Sequence, residues 1–409
     1  MRYSIYICIS FFVFYPSLLF SQAAIDFDDY FIDATMRIDY FHTGNNKEEG
    51  ITIDQIYRQG VWAGNPDKLL APVSNGRYTI KVIDIASNRR IYSQHFLSVM
   101  FEYKSTDKAK TGIKRTFHES ALIPYPRKPF LFLIERRDRQ NILHPLLVRK
   151  IDPTETNIRR EEANPSDKVF VALENGPPHD KVDLVIVAEG YTAEQWEKFK
   201  GDVQRLTDTL LNTAPFGQYR EKLNIRGVFR PSTDSGVDEP TKGLFRNTVV
   251  NASYNALDAS HYCLVNDNKS LRDIASRVPY DNVIVLANST RFGGGGFYNI
   301  NCIITADDER SPEIFIHEFG HSFAGLADEY INESYFDSYN TRGVEPLEPN
   351  ITAYLNPDNL KWKHLLTPGI ELPTPADEKY DGKVGLFEGA GYTKTGMFRS
   401  GLHCVMGAG

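Results

Sequence analysis

The chain has 409 residues, with 46 Lys and Arg against 53 Asp and Glu and a formal charge of -7. That length supports two or three domains with a sizeable core. Arg136 with Arg137 and Arg159 with Arg160 are only short basic pairs, so nothing here tracks phosphates and a nucleic-acid partner is not expected.

Residues 1–22 read as a secretory signal. Arg2 precedes a mostly apolar run from Ile5 to Phe20, and Ser21 to Ala24 supply small residues for cleavage. No second apolar run could span a bilayer. The protein is expected to be exported (periplasmic, cell-surface or secreted), with no stable membrane insertion once the signal is removed. A retained anchor is the alternative, on a run slightly short for a span. Export permits disulfides, and Cys263, Cys302 and Cys404 allow at most one pair.

Residues 25–151 are β-rich. Met36, Ile38 and Tyr40 alternate with Arg37 and Asp39, and Tyr78, Ile80 and Val82 alternate with Thr79 and Lys81. Period-two alternation predicts half-buried strands. Phe130 to Ile134 is apolar throughout and predicts a more fully buried strand. Ala86 to Arg89 reads as a turn between two strands. Together these predict a β-sandwich domain. It shows no catalytic cluster, since His42, His95 and His144 stand alone.

Residues 152–168 are polar, carry Pro153 and Pro165, and read as a linker. From 169 to 409 the pattern changes. Val182 to Val187, Leu223 to Phe229 and Asn282 to Leu286 read as strands. Thr192 and Gln195 form a capping-box pattern before a helix running to about Leu211. Strands alternating with helices predict an α/β catalytic domain with a mixed sheet. The glycine run 293–296 lacks the Gly-Lys-Ser/Thr ending of a phosphate loop. It reads either as an edge beside the active site, where a peptide could add as a strand, or as a surface turn.

Residues 317–321 are His-Glu-Phe-Gly-His, a His-Glu-x-x-His zinc motif. One helical turn separates His317 from His321, so both imidazoles can share one metal ion. Glu318 lies where a carboxylate can take a proton from metal-bound water. Ser311, Pro312 and Glu313 predict the helix start, with Ser311 as N-cap, and Gly325 predicts its end. Asp328 is the expected third ligand after that turn, with Glu329 as the alternative. The carboxylate left over is expected to hold a histidine ring nitrogen. Tyr330 and Tyr392 are candidates for a phenol donating to the oxyanion, against buried structural roles for each.

The segment from Val278 to Tyr330 holds the Val-Pro-Tyr-Asp stretch 278–281, the strand from Asn282, the glycine run and the zinc helix. Downstream come Pro349 to Thr352, Lys361 to Lys363 and Gly385 to Tyr392. In this order they resemble the IgA peptidase family of bacterial zinc metallopeptidases. Residues 25–165 more weakly resemble that family's N-terminal β domain. The resemblance implies a metzincin-like zinc peptidase domain with a mixed sheet and an active-site helix. It also implies that Met406, in Cys404-Val-Met406, forms a hydrophobic floor under the metal. The spacing departs from the usual metzincin pattern by one residue at Gly325 and at Asp328, which keeps Glu329 open. The family usually carries a short tail after this methionine. The chain stops at Gly409, which leaves open both a truncated C-terminus, whose tail would hold a partner for Cys404, and a free thiol there.

The expectation is an exported metalloendopeptidase using Zn2+, with Glu318 as general base and a protein or peptide as substrate. The alternatives are a zinc amidase on cell-wall peptides and a non-catalytic zinc-containing surface protein. Substrate identity and oligomeric state are not encoded in any motif found.

Overall fold

The structure is a computed structural model that describes residues 25–407 except Ser74 and Glu161. The expected signal at 1–22 lies outside the described residues. A helical turn, α1 (Phe27–Tyr30), leads into β1 (Phe31–Gly44), which pairs with β2 (Glu49–Arg58). β3 (Tyr78–Asp84) and β4 (Arg89–Phe96) form a hairpin turned at Asn88, whose φ of 52° is a left-handed geometry that asparagine tolerates. Helices α2 (Val99–Ser105) and α3 (Asp107–Lys110) cross to β5 (Arg115–Pro126), followed by β6 (Phe130–Arg137) and β7 (Leu143–Ile151). These strands make two antiparallel sheets, ordered β2-β1-β5 and β4-β3-β6-β7. Met36, Ile38 and Tyr40 of one sheet share a core with Tyr78, Ile80, Val82, Phe130, Phe132 and Ile134 of the other.

Two strands differ from expectation. β6 is not fully buried, because Leu131 and Leu133 on its second face are only half-buried. β1 is more buried than its alternation suggests. Arg37 and Asp39 are both 0% exposed and form an ion pair at 2.9 Å, and Arg37 also reaches Asp273 at 2.7 Å. Asp273 belongs to the second half of the chain, so β1's polar face is covered by a neighbour, not by water. Charges can be buried this way only when paired.

The segment 152–168 connects the halves, but it is not free of the first. Arg159 bridges to Tyr57 of β2, with backbone hydrogen bonds from Arg159 to Ile56 and from Arg58 to Arg159.

The second half begins with β8 (Lys168–Leu173) and β9 (Val182–Glu189). The capping box of Thr192 and Gln195 starts a 3-10 turn that runs into α4 (Trp196–Asn212). β10 (Leu223–Phe229), the short pair β11 (Ala252–Ser253) and β12 (Leu264–Val265), and α5 (Asn268–Ala275) come next. β13 (Asn282–Ala287), β14 (Gly294–Phe297) and β15 (Asn301–Thr305) lead to α6 (Ser311–Ala324). After α7 (Glu333–Tyr339), β16 (Ile351–Thr352), β17 (Phe387–Ala390) and β18 (Thr393–Arg399) form a small sheet ordered β16-β18-β17.

The main sheet is mixed and ordered β14-β15-β13-β9-β10-β8, with β14 and β8 antiparallel to their neighbours. β9, β10, β13 and β15 run parallel. β9 splits its side chains between two cores. Leu184, Ile186 and Ala188 face α4 and α6, while Val185 and Val187 face α5. A parallel strand covered on both faces needs such a continuous apolar run. Among the described residues no helix is long and apolar enough to cross a membrane.

The halves share packing. Leu264, Phe297 and Ile300 are buried members of the first half's core. Asn268 donates to Ser120 at 2.9 Å, and Asn299 donates to the His95 carbonyl at 2.7 Å. All three described cysteines are free thiols, Cys263 and Cys302 buried and Cys404 exposed.

Candidate metal centre

Helix α6 carries the His-Glu-x-x-His motif between the main sheet and the C-terminal segment. It starts one residue earlier than the N-cap reading. Ser311 is its first residue, and the Ser311 hydroxyl donates to the Thr305 carbonyl at 2.6 Å instead of capping. Gly325 ends it with a φ of 63°, and the Gly325 and Leu326 amides close on the carbonyls of His321 and Gly320. This left-handed stop suits glycine and turns the chain back toward the motif.

That return brings Asp328 to the histidines. Asp328 Oδ1 lies 3.2 Å from His317 Nε2 and 3.4 Å from His321 Nε2. The two Nε2 atoms are 3.1 Å apart. Each ring is oriented from behind through Nδ1, by the Val405 carbonyl at 3.0 Å for His317 and the Leu326 carbonyl at 2.6 Å for His321. With Nδ1 donating, both Nε2 lone pairs are left for a metal. Asp328 Oδ1 is buried and makes no hydrogen bond among the described residues. Two imidazole nitrogens and an orphaned carboxylate oxygen converging on one point fit a divalent metal ion.

The electrostatics agree. Burial opposes charge on His321, but Asp328 outweighs it and raises the ring's pKa to about 9. His317 is raised too, with burial again opposed by Asp328. Burial alone would raise Asp328, yet the two histidines hold it far below the usual carboxylate range. The Asp328 charge thus draws cations to this point, and a metal ion would displace those protons.

Glu318 is half-buried beside His317 and has no hydrogen-bond partner among the described residues. Burial raises its pKa. Met406 is fully buried beneath α6, and a Cβ on Gly320 would come 2.9 Å from its sulfur. The glycine within the motif therefore lets the Met406 sulfur approach the helix.

The glycine run serves packing. A Cβ at Gly296 would collide with the Glu318 carbonyl, and one at Gly294 would sit 3.2 Å from Glu318 Cγ. β14 is the terminal strand of its sheet, but at Gly294 its outer edge is already met by the Cys263 amide at 3.3 Å. The bare backbone of this edge strand admits α6 beside it.

The other sequence candidates differ in where they fall. Glu329 stays outside the cluster: its amide donates to the Met406 carbonyl at 2.7 Å, and its carboxylate accepts from Asn350 at 2.9 Å. It holds neither histidine ring, because backbone carbonyls do. Tyr392 does enter the site, and its hydroxyl donates to Asp328 Oδ2. Tyr330 packs edge-on against Tyr392 with centroids 5.3 Å apart. Sequence reasoning missed the Leu326 and Val405 carbonyls, Asn350, Tyr339 and Glu102. Tyr392→Phe is expected to weaken metal affinity about ten- to a hundredfold, since it removes the hydrogen bond holding a ligand. Competition with a chromophoric chelator measures this, and unchanged affinity would assign Tyr392 to packing.

A mixed sheet, a His-Glu-x-x-His helix and a converging His-His-Asp donor set make a site that could hold a metal ion. Two family models match the chain. The model described as IgA Peptidase M64 matches residues 171–380, and the Peptidase M64 N-terminus model matches residues 26–147. The chain belongs to the IgA peptidase M64 family and is a peptidase of that family. No curated protein matches the chain.

Proposed function

We propose that this chain is an exported zinc metalloendopeptidase, with its first half a β-sandwich and its second a metzincin-like catalytic domain. The observation that carries the reading is the orphaned Asp328 Oδ1 between two oriented Nε2 atoms. His317, His321 and Asp328 would hold the ion, a nitrogen and oxygen set typical of catalytic zinc. When bound, zinc would polarise the scissile carbonyl and lower the pKa of the adjacent water to about 7.

The chain's own groups do the rest. Glu318, unpartnered next to His317, takes the proton from the attacking water and delivers it to the leaving amine. The Val405 and Leu326 carbonyls keep both rings in the metal-binding tautomer. Met406 and Gly320 fix the helix from below. A purely structural metal site has no need of an unpaired carboxylate like Glu318, which favours catalysis over a binding role.

Incubation with a chelator is expected to abolish cleavage of a peptide library, with activity restored by added zinc. Cleavage products are read by mass spectrometry. Purified protein that cuts equally well after demonstrated metal removal would sink the reading.

A further inference from the structure

Helix α2 lies in the first half of the sequence, yet it delivers a carboxylate to the metal cleft. Glu102 accepts a hydrogen bond from the Tyr339 hydroxyl. The Tyr339 ring packs against Tyr392 with centroids 4.9 Å apart, and Tyr392 in turn holds Asp328. The charges of Asp328 and His321 act on Glu102, and the charge of Glu102 acts on Tyr262, Tyr330 and Tyr392. Contacts thus run from Glu102 through Tyr339 and Tyr392 to Asp328. Glu102 is half-buried, so it is not sealed from solvent.

Its position is fixed from behind. Ser98 caps α2 by accepting from the Met100 amide at 3.0 Å, and donates to Glu119 at 2.6 Å. Glu119 also accepts the Val99 amide at 3.1 Å, and His42 packs at 3.0 Å from Ser98. Met100 and Tyr103 bury the opposite face of the helix.

Glu102 has no cationic partner. Among the described residues no Lys or Arg forms an ion pair with it. Arg77, whose charge does reach it, is engaged by the Tyr339 carbonyl, by Glu348 at 3.5 Å and by the Phe101 ring. Burial raises the Glu102 carboxyl to about 7. A half-buried carboxylate that accepts from a phenol and lacks a cation is an environment that a cationic nitrogen would complete by ion pairing.

We propose that Glu102 is a specificity-determining residue that binds a cationic nitrogen of the peptide substrate near the scissile bond. This rests on the peptidase reading above. The nitrogen could come from a Lys or Arg side chain or from a free amino terminus.

The test compares kcat/KM on matched peptides. One set places Lys or Arg, or the neutral isosteres norleucine and citrulline, at each position around the cleaved bond, with both termini blocked. A second set pairs free with acetylated amino termini. The parent enzyme is expected to favour cationic peptides about ten- to a hundredfold, mainly through KM, as for a hydrogen bond to a charged group. In Glu102→Gln the ratio should fall toward one, and in Glu102→Lys it should invert toward acidic peptides. A preference in the first set assigns a side chain, and one confined to the second assigns the terminal ammonium.

A parent ratio near one overturns the proposal without recourse to any variant. So does an undiminished ratio in a Glu102→Gln protein that keeps the parent's melting temperature and metal content. Failure of the parent to cut any peptide while holding zinc would instead overturn the peptidase reading, and this proposal with it.

Discussion

Glu318→Gln is expected to cut turnover about 10²- to 10⁴-fold, the range for loss of a general base, while metal stays bound. The side chain is half-buried beside His317 and has no hydrogen-bond partner among the described residues, so glutamine fits the same space without breaking a contact. The three groups that could hold a metal are on other residues. What glutamine cannot do is accept the proton of the attacking water. Turnover on a peptide identified by library cleavage, together with metal content by elemental mass spectrometry, measures both halves of the expectation. Activity within about tenfold of the parent would reject Glu318 as the base.

Gly296→Ala is expected to damage the enzyme from outside the motif. The added Cβ would meet the backbone carbonyl of Glu318 and would lie 3.0 Å from His321 Cβ. A carbonyl on a helix cannot swing aside as a side chain can, so α6 must shift off β14 with its ligands. Overpacking of this kind costs about 1–3 kcal/mol, and the shift should lower both metal affinity and kcat/KM. Gly201 in α4 is the control, since a Cβ there meets nothing within 4 Å. Gly201→Ala should leave the melting temperature unchanged or raise it, by the helix preference of alanine over glycine. A Gly296→Ala protein as stable and active as the parent would show that α6 moves freely on the sheet.

The parts legible in the sequence were those encoded by local spacing. His317, Glu318 and His321 follow from helical periodicity, and Gly325 marks the turn that returns Asp328. Helix α4 followed from its capping box, and β9 from a run that is apolar except for Asp183. What could not be read depends on distant partners. The carbonyls that orient the two rings carry no residue signature, because any backbone can supply one. Glu102 is a lone glutamate on a short helix, and only the fold brings it beside Tyr339, which lies 237 residues away. Tyr392 was one candidate for the cleft against a buried structural role, and a phenol reads the same whether it donates to an oxyanion or to a carboxylate. The alternation of β1 promised a wet face because Arg37 and Asp39 are charged, whereas Asp273 from the second half seals it.

The shared core has a consequence for biosynthesis. Phe297 and Ile300 complete the packing of sheets built from residues before 152. A ribosome must therefore translate as far as residue 300 before the earliest strands find their last apolar neighbours. Until then the nascent segment presents uncovered surface of the kind that chaperones bind. For the same reason the boundary between the two family matches, at 26–147 and 171–380, is not a boundary in packing. Grafting the first segment onto a relative's catalytic half would require re-matching it to the residues that stand where Leu264, Phe297 and Ile300 do here.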